Sequence, residues 1–339
     1  MTNPSSTSTS PTSTMRAVWV EQVGEPETMQ LRDLPVPPLK PGFVRLKVEA
    51  VGINFADVLA VQGKYLTPTQ TPMIPGMEFA GMVEALGEGV SGFVVGQQVG
   101  CLGGRGGLAE YAVVPAQTVV PIPEGLSSAE AAAFPVSYYT AYISLVTLGQ
   151  ARAGETVLVQ GAAGALGTAL IQVARALELK IIALASTDEK LKLAADLGAH
   201  TTLISERPDI VEAVKEATGG AGVNLLVEIT GGEMVQRSLR MMANRGRVMI
   251  VGSASGERAS VEGVALMKKN LSVIGVWLTS MMGEPGVIEE ALSFFAPLLR
   301  SGQIRPQVGH TYALAESAAA FRDLLERKTT GKVVIEPGR

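Results

Sequence analysis

Two patterns of apolar residues follow one another along the chain. From Met15 to about Pro123 the apolar residues form short runs rich in β-branched side chains, separated by proline and glycine, as in MRAVWVE, FVRLKVEAVGI and AEYAVV. This pattern predicts short strands, interrupted by one helix over residues 55–61. The first part of the chain is therefore expected to form an irregular, barrel-like β domain.

After Ser127 the pattern changes to an alternation of apolar strands and helices. Ser127, with Glu130 three residues later, is typical of a helix N-cap, and a second helix is predicted over residues 136–148. The strands TVLVQ, KIIALA, NLLVEI and RVMIVG then alternate with helices predicted over residues 165–177, 188–197, 210–217 and 234–243. Buried strands separated by helices are typical of a parallel, doubly wound sheet. The expected fold class is α/β, a Rossmann sheet plus a β-rich catalytic domain.

These patterns predict three segments. Residues 1–14, rich in serine, threonine and proline, are expected to be a disordered tail. Residues 15–134 and 301–339 are expected to form the catalytic domain, because the terminal strand KVVIE needs a sheet partner. Residues 135–300 are expected to form the dinucleotide-binding domain.

Composition removes several classes of function. A net charge of −4 without a long basic run argues against nucleic acid as a partner. One cysteine and two histidines are too few for a disulfide framework or a common metal site, so we expect no metal and a cytoplasmic location. We also expect no membrane span, because no apolar run reaches about 18 residues, and no signal peptide, because the first residues lack a basic start.

The strongest local motif is a glycine-rich turn between the strand TVLVQ and an alanine-rich helix. Free N–H groups and the dipole at a helix start attract a pyrophosphate, and glycine lets the phosphates approach closely. The spacing is G-x-x-G-x-x-G instead of the standard G-x-G-x-x-G, so the strand–turn–helix context carries the prediction; a turn without a ligand is the alternative. The predicted cofactor contacts in this turn are Gly161, Ala163, Gly164, Ala165, Leu166 and Gly167.

Cofactor preference is predicted from the end of the next strand. Sites that prefer NAD place an acidic residue about 20 residues after the glycines, where this chain has Ser186. Lys190 follows within one helical turn, and a hydroxyl with a lysine suits a 2′-phosphate. Asp188 and Glu189 weigh against this, although both also favour a helix N-terminus. The prediction is NADPH over NADH.

Three segments carry a family resemblance: GINFADVLAVQGKY from Gly52, PGMEFAGMVEALGEGV from Pro75, and the turn GAAGALG. From Met15 to Pro337 the chain resembles the zinc-independent quinone oxidoreductases of the zeta-crystallin type, in the medium-chain dehydrogenase/reductase superfamily. The related zinc alcohol dehydrogenases carry a ligand cysteine near Asn54 and a histidine in place of Met77, and neither is present. The resemblance implies hydride transfer to an acceptor that needs no Lewis acid.

The resemblance also implies roles for individual residues. Asn54 would contact the nicotinamide ribose and the substrate, and Tyr65 would line the acceptor pocket, which makes these two the candidate catalytic residues. An N-cap role for Asn54 and rim packing for Tyr65 remain open, and Asp57 is favoured as structural. Thr140 and Lys332 are expected to contact the cofactor, with helix packing and a surface position as their respective alternatives. Gly252, Ser253 and Trp277 follow strands, where ligands gather in open α/β sheets, and are expected beside the dinucleotide; an interface or core position is the alternative for Trp277.

These predictions favour NADPH-dependent reduction of a quinone-like acceptor. One alternative is reduction of an α,β-unsaturated carbonyl, an alkenal or an enoyl thioester; no basic patch for a phosphorylated carrier is seen near the pocket residues. A cofactor-binding interaction protein is the alternative of another class. The apolar strand LSVIGVWL is expected at a sheet edge, which predicts a homodimer through that edge.

Overall fold

A computed structural model describes residues 14–103, 105–122 and 125–339, which form two compact units. The β unit contains the described residues up to Pro121, with Tyr312–Glu326 and Ile335–Arg339. The α/β unit contains the described residues of Ile122–Thr311 and of Arg327–Val334. Most of the predicted tail lies outside the described residues. The tail prediction is wrong at Thr14, which pairs with Pro35 in the first strand.

The β unit starts with seven strands and one helix. Their bounds are β1 Thr14–Trp19, β2 Gln30–Pro35, β3 Phe43–Ile53, α1 Phe55–Val61, β4 Glu78–Leu86, β5 Gln98–Leu102, β6 Tyr111–Pro115 and β7 Val119–Pro121. Strands β3, β4, β5 and β7 follow one another in an antiparallel sheet, and β6 also pairs with β3. Helix α1 matches its predicted bounds.

The α/β unit alternates helices with parallel strands. Its elements are α2 Ser128–Ala133, α3 Pro135–Tyr142, β8 Thr156–Val159, α4 Ala165–Ala176, β9 Lys180–Ala185, α5 Asp188–Asp196, β10 Thr201–Ile204, α6 Ile210–Ala217, β11 Val223–Glu228, α7 Glu233–Met241, β12 Met242–Ile250, α8 Gly263–Lys269, β13 Ser272–Gly275, α9 Leu278–Met281 and α10 Val287–Arg300. The six strands pair in the order β10-β9-β8-β11-β12-β13, as expected for a doubly wound sheet. Their apolar side chains, such as those of Leu158, Leu226 and Val248, are buried against the flanking helices.

The last described elements are β14 Val308–Ala313, α11 Ser317–Leu325 and β15 Lys332–Glu336. Strand β15, whose last two residues belong to the β unit, takes the place next to β3, with β14 outside it. The terminal KVVIE segment therefore finds the sheet partner that the sequence required.

The boundaries between the two compact units differ from the predicted domain boundaries. Residues 125–134 join the α/β unit, where Phe134 stacks on Tyr138 with ring centres 4.9 Å apart and meets Phe295 edge-on. Residues 301–311 join it as well, since the Arg305 N–H donates to Gln172 Oε1 at 2.7 Å. The catalytic and dinucleotide-binding roles of the two domains stay predictions.

Two predicted helices differ from the structure. The helix predicted over residues 136–148 becomes α3 followed by a π-helix, Ile143–Thr147, because the Leu148 N–H donates to the carbonyl of Ile143, five residues back. The helix predicted over residues 234–243 ends at Met241, since Met242 pairs with Val223 of β11 and starts a strand. None of the helices in the described part of the chain has the length and apolar character needed to span a bilayer.

Candidate functional site

The predicted glycine turn joins β8 to the start of α4. Gly164 is the N-cap in an extended conformation, and the first intrahelical bond runs from the Thr168 N–H to the Gly164 carbonyl at 2.9 Å. The three preceding N–H groups, those of Ala165, Leu166 and Gly167, therefore have no acceptor within the helix. No acidic side chain lies in the first turn of α4. This helix start has the donors and the dipole that an anion requires.

The turn lies at the point where the sheet reverses its winding. Strands β8 and β11 are neighbours, but β9 and β12 lie on opposite sides of this pair. Gln160 ties the two strand ends together, because its Oε1 accepts from the Ile229 N–H at 3.3 Å and from Thr230 Oγ1 at 3.1 Å. Ile229 also approaches two glycines. A methyl group added to Gly161 would lie 2.7 Å from Ile229 Cδ1, and one added to Gly252 would lie 3.3 Å from the Ile229 carbonyl oxygen. The ends of β8, β11 and β12 thus meet, as ligand sites in such sheets require.

A buried carboxylate fixes the turn that follows β11. Glu228 is fully buried, and its two oxygens accept the Thr230 N–H at 3.0 Å and the Gly231 N–H at 2.9 Å. Burial raises the pKa of Glu228 above its ordinary value, although these N–H donors oppose the shift. Since both oxygens bond to the backbone of this turn, Glu228 has a structural role. Its carbonyl also accepts the N–H of Val251, the residue before the predicted contact Gly252. Ser253 itself is exposed and donates to the Glu257 carbonyl at 3.1 Å.

The end of β9 carries the residues predicted to choose the cofactor. Ser186 is exposed, and Thr187 caps α5 by accepting the Lys190 N–H at 3.3 Å. The Lys190 ammonium donates to the carbonyl of Arg327 at 2.6 Å. Sequence reasoning missed Arg327, although it lies in the same segment as the predicted contact Lys332. Lys190 therefore lies in the first turn of α5, shortly after Ser186, and its ammonium contacts the backbone of Arg327.

The segment after Arg327 reaches the glycine turn. The Gly331 N–H donates to the Ala163 carbonyl at 2.7 Å, and Gly331 forms a parallel bridge with Gly164. Lys332 follows directly and is only 1% exposed. The structure thus brings Lys332 next to the turn, as a buried rather than a surface residue.

Two other predicted contacts have different surroundings. Thr140 is buried in α3, the helix that packs on α4. Trp277 follows β13 and is 37% exposed. In the sheet order, β11 and β12 lie between β13 and β8, so the structure does not bring Trp277 to the glycine turn.

Asn54 and its partners form a buried polar group in the β unit. Asp57 accepts the Asn54 N–H at 2.8 Å with one oxygen and the Met77 N–H at 2.9 Å with the other, which is the structural role favoured by the sequence. The Asn54 side-chain Nδ2 donates to Glu78 Oε2 at 2.9 Å. The amide nitrogen of Asn54 is therefore the end that faces Glu78, while its side chain also takes part in a capping box with the Asp57 N–H. Sequence reasoning missed Glu78, a fully buried carboxyl side chain in the apolar strand β4.

Tyr65, the other candidate catalytic residue, is half-buried and lines a narrow crevice in the β unit. The apolar part of the lining comes from Ala60, Met73, Ile74, Pro75, Gly76 and Met77. Its polar part comes from Asp57, Tyr65, Thr69 and Arg105. The crevice is small, with a volume of about 10 Å³, so it has room for only a small part of an organic molecule.

The positions that would bind the catalytic zinc carry other residues. Asn54 donates to a carboxylate, and Met77 lines the crevice. Among the described residues, no group of three or more histidine, cysteine, aspartate or glutamate side chains is arranged to hold a metal ion.

Comparisons with known proteins agree with this geometry. Residues 165–296 match the family model described as zinc-binding dehydrogenase, and residues 40–124 match the alcohol dehydrogenase GroES-like domain. A quinone oxidoreductase-like protein 2 from Bos taurus is 41% identical over 88% of this chain and 86% of its own. A Thermus thermophilus quinone oxidoreductase, solved alone and with NADPH, is 46% identical, with a TM-score of 0.85 over 95% of this chain and 100% of its own.

A mycobacterial protein solved in complex with NADPH is 31% identical to this chain, with a TM-score of 0.90 over 95% of this chain and 100% of its own. The fold and the family models define a medium-chain dehydrogenase/reductase. Within that superfamily the chain belongs to the zinc-independent quinone oxidoreductase family, and it is an oxidoreductase.

Proposed function

We propose that the chain reduces a quinone-like acceptor with hydride from NADPH, without a metal. The observation that carries the proposal is the start of α4, with its free N–H groups, at the point where the sheet reverses its winding. Lys190, in the first turn of the helix after Ser186, supports it. Two of the similar structures were solved with NADPH, and the relatives are named quinone oxidoreductases, which supports the same assignment.

The residues present fit this cofactor. The N–H groups at the start of α4 would receive the pyrophosphate, and the glycines leave the space for it. Ser186 and the cations of Lys190 and Arg327 would hold the 2′-phosphate, and Asn54 would accept a hydrogen bond from the nicotinamide ribose. When bound, NADPH supplies the hydride. The remaining contribution of the protein is to orient the acceptor and to exclude water.

The first experiment measures binding of NADPH and NADH to the metal-stripped protein, then oxidation of the reduced cofactor with a simple quinone and with an enone. Oxidation of NADPH by the quinone supports the proposal in full. Turnover with the enone alone would replace the quinone by an alkenal-type acceptor. Binding with no turnover on either would contradict the proposed reaction and leave the cofactor assignment in place.

Tyr65 is expected to assist the reaction without being essential to it. Hydride transfer needs no protein nucleophile, and a proton can also come from water, so Tyr65→Phe should lower kcat by less than about tenfold. Turnover with the quinone, measured beside the Kd of NADPH, checks this. Complete loss of turnover with unchanged NADPH binding would show that the hydroxyl is the obligatory proton donor.

Lys190 is expected to decide the preference for NADPH. Removing its ammonium in Lys190→Ala should weaken NADPH binding about tenfold and leave NADH binding unchanged, since only NADPH carries the 2′-phosphate. Lys192→Ala is the matched control, because Lys192 lies on the same helix and pairs with Asp196. Fluorescence titration with both cofactors measures the effect. Equal loss of NADPH and NADH affinity would argue against the 2′-phosphate contact.

We further propose a homodimer formed through strand β13, in a protein expected to be cytoplasmic. Strand β13 pairs with β12 on one side and is the edge of the described sheet on the other. Four exposed apolar side chains lie close to β13 in the sequence, three before the strand and one after it: Val261, Val264, Met267 and Trp277. An apolar sheet edge of this kind is usually covered, and pairing with a second copy across a two-fold axis covers it.

Ser272→Lys is expected to break this dimer. Ser272 is exposed at the start of β13, so a lysine there costs the monomer little, whereas two-fold pairing would bring two lysines into one interface. Ser301→Lys, an equally exposed serine after α10, is the control. Sedimentation velocity at micromolar concentration measures both. A wild-type protein that sediments as a monomer would contradict the proposal.

A further inference from the structure

The glycine-rich loop before Leu108 brings Arg105 to the crevice that Tyr65 lines. Both ends of the loop are bonded to the same crevice-lining segment. The Gly103 N–H donates to the Met77 carbonyl at 3.1 Å, and the Gly107 N–H donates to the Gly76 carbonyl at 3.1 Å. The chain is therefore bonded to the crevice wall two residues before Arg105 and two residues after it.

The crevice is lined by one acidic side chain, Asp57, and one basic side chain, Arg105, and only Arg105 is exposed. Asp57 is 1% exposed, and each of its oxygens accepts a backbone N–H group, so its carboxyl group is bonded to the protein backbone. Arg105 is exposed, and none of the ion pairs found among the described residues includes it. Tyr65 and Thr69 belong to the same lining. The polar part of the crevice thus includes one cation that is in none of these ion pairs.

We propose that Arg105 binds an anionic substituent of the acceptor, a carboxylate in the first instance; this rests on the proposed function. A guanidinium donates two parallel hydrogen bonds to a carboxylate, a geometry that a neutral acceptor cannot use. The apolar lining of Met73, Ile74 and Met77 suits the short carbon chain that carries this group, since the crevice has a volume of only about 10 Å³. The acceptor class is therefore a quinone or enone with an acidic side chain. Sequence reasoning looked for a basic patch and missed this single cation, because its position depends on the loop's anchors.

The test uses a naphthoquinone with a carboxyethyl side chain and the methyl ester of the same compound, whose rings are alike. At low salt, the wild type should use the carboxylate with a kcat/KM about tenfold above that of the ester. Arg105→Met should remove the preference, and Arg105→Lys should keep part of it. Lys64→Met is the control, since it removes a charge beside Tyr65 but Lys64 does not line the crevice.

Equal use of the two compounds by the wild type, or an equal loss of preference in Lys64→Met, would overturn the proposal. Turnover of the methyl ester reports on the proposed function separately, because no variant changes a group that the ester needs. If neither compound is reduced, calorimetric binding of the carboxylate to wild type and to Arg105→Met decides the question. Tenfold weaker binding to the variant supports the anion site, and equal binding refutes it.

Discussion

Gly164→Ala is expected to leave the fold intact and to weaken NADPH binding by at least about tenfold. The backbone of Gly164 is extended, with φ −81° and ψ 176°, so an alanine fits there without strain. Apart from its two chain neighbours, a methyl group at this position would meet only the Gly161 carbonyl oxygen, at 3.4 Å. It would take up space at the start of α4, where the pyrophosphate is proposed to lie.

Gly167→Ala provides the contrast within the same turn. A methyl group on Gly167 would overlap the Gly161 carbonyl oxygen and lie 2.6 Å from Ala162 Cα. Both are backbone atoms, so the turn itself would have to move, at a cost of roughly 2–4 kcal/mol in the free energy of unfolding. This variant should lose both stability and NADPH binding.

Thermal unfolding and fluorescence titration with NADPH separate the two effects. Gly164→Ala should unfold within a few degrees of the wild type, whereas Gly167→Ala should unfold well below it. If Gly164→Ala binds NADPH as tightly as the wild type does, the phosphates do not lie at this helix start. The proposed cofactor site would then have to be given up.

The parts of the site that sequence could predict are those set by neighbouring residues. The glycine turn, its strand and its helix lie within one continuous segment, so their spacing determines the geometry. The capping pair Ser127 and Glu130 was predictable for the same reason, and the Ser127 Oγ does accept the Glu130 N–H. Local rules suffice when both partners lie within about one helical turn.

The missed residues depend on contacts between distant parts of the chain. Lys190 and Arg327 are 137 residues apart in sequence, and Asn54 and Glu78 are separated by 24. Arg105 reaches the crevice only because its loop is bonded to Gly76 and Met77. No periodicity or propensity reports such pairs, which are set by sheet register and loop closure. The predicted end of α7 was wrong for a related reason, because Met242 pairs with β11 and so begins a strand.

Glu78 is expected to act as a positioning residue for Asn54. Glu78 accepts from Asn54 Nδ2 and so fixes which way the amide is turned, with the side chain also in the capping box with Asp57. Only the amide oxygen can accept the ribose hydroxyl proposed above. Asn54→Ala should lower kcat/KM by roughly 10- to 100-fold, the usual effect of losing one buried hydrogen bond that orients a reactant. Glu78→Leu should lower it nearly as much, because the amide is then free to turn over. Glu78→Gln keeps an acceptor oxygen and should retain most of the activity.

A double-mutant cycle distinguishes positioning from a general loss of structure. If Glu78 acts through Asn54, adding Glu78→Leu to Asn54→Ala should lower kcat/KM little further, whereas independent effects would multiply. Glu84→Leu is the matched control, since it is the same change on the same strand, where Glu84 pairs with Arg45. Thermal unfolding of each variant accompanies the kinetics, because a leucine in place of a buried carboxylate also changes stability. Multiplied losses in the double variant would assign Glu78 to the fold alone and leave the orientation of Asn54 to its other contacts.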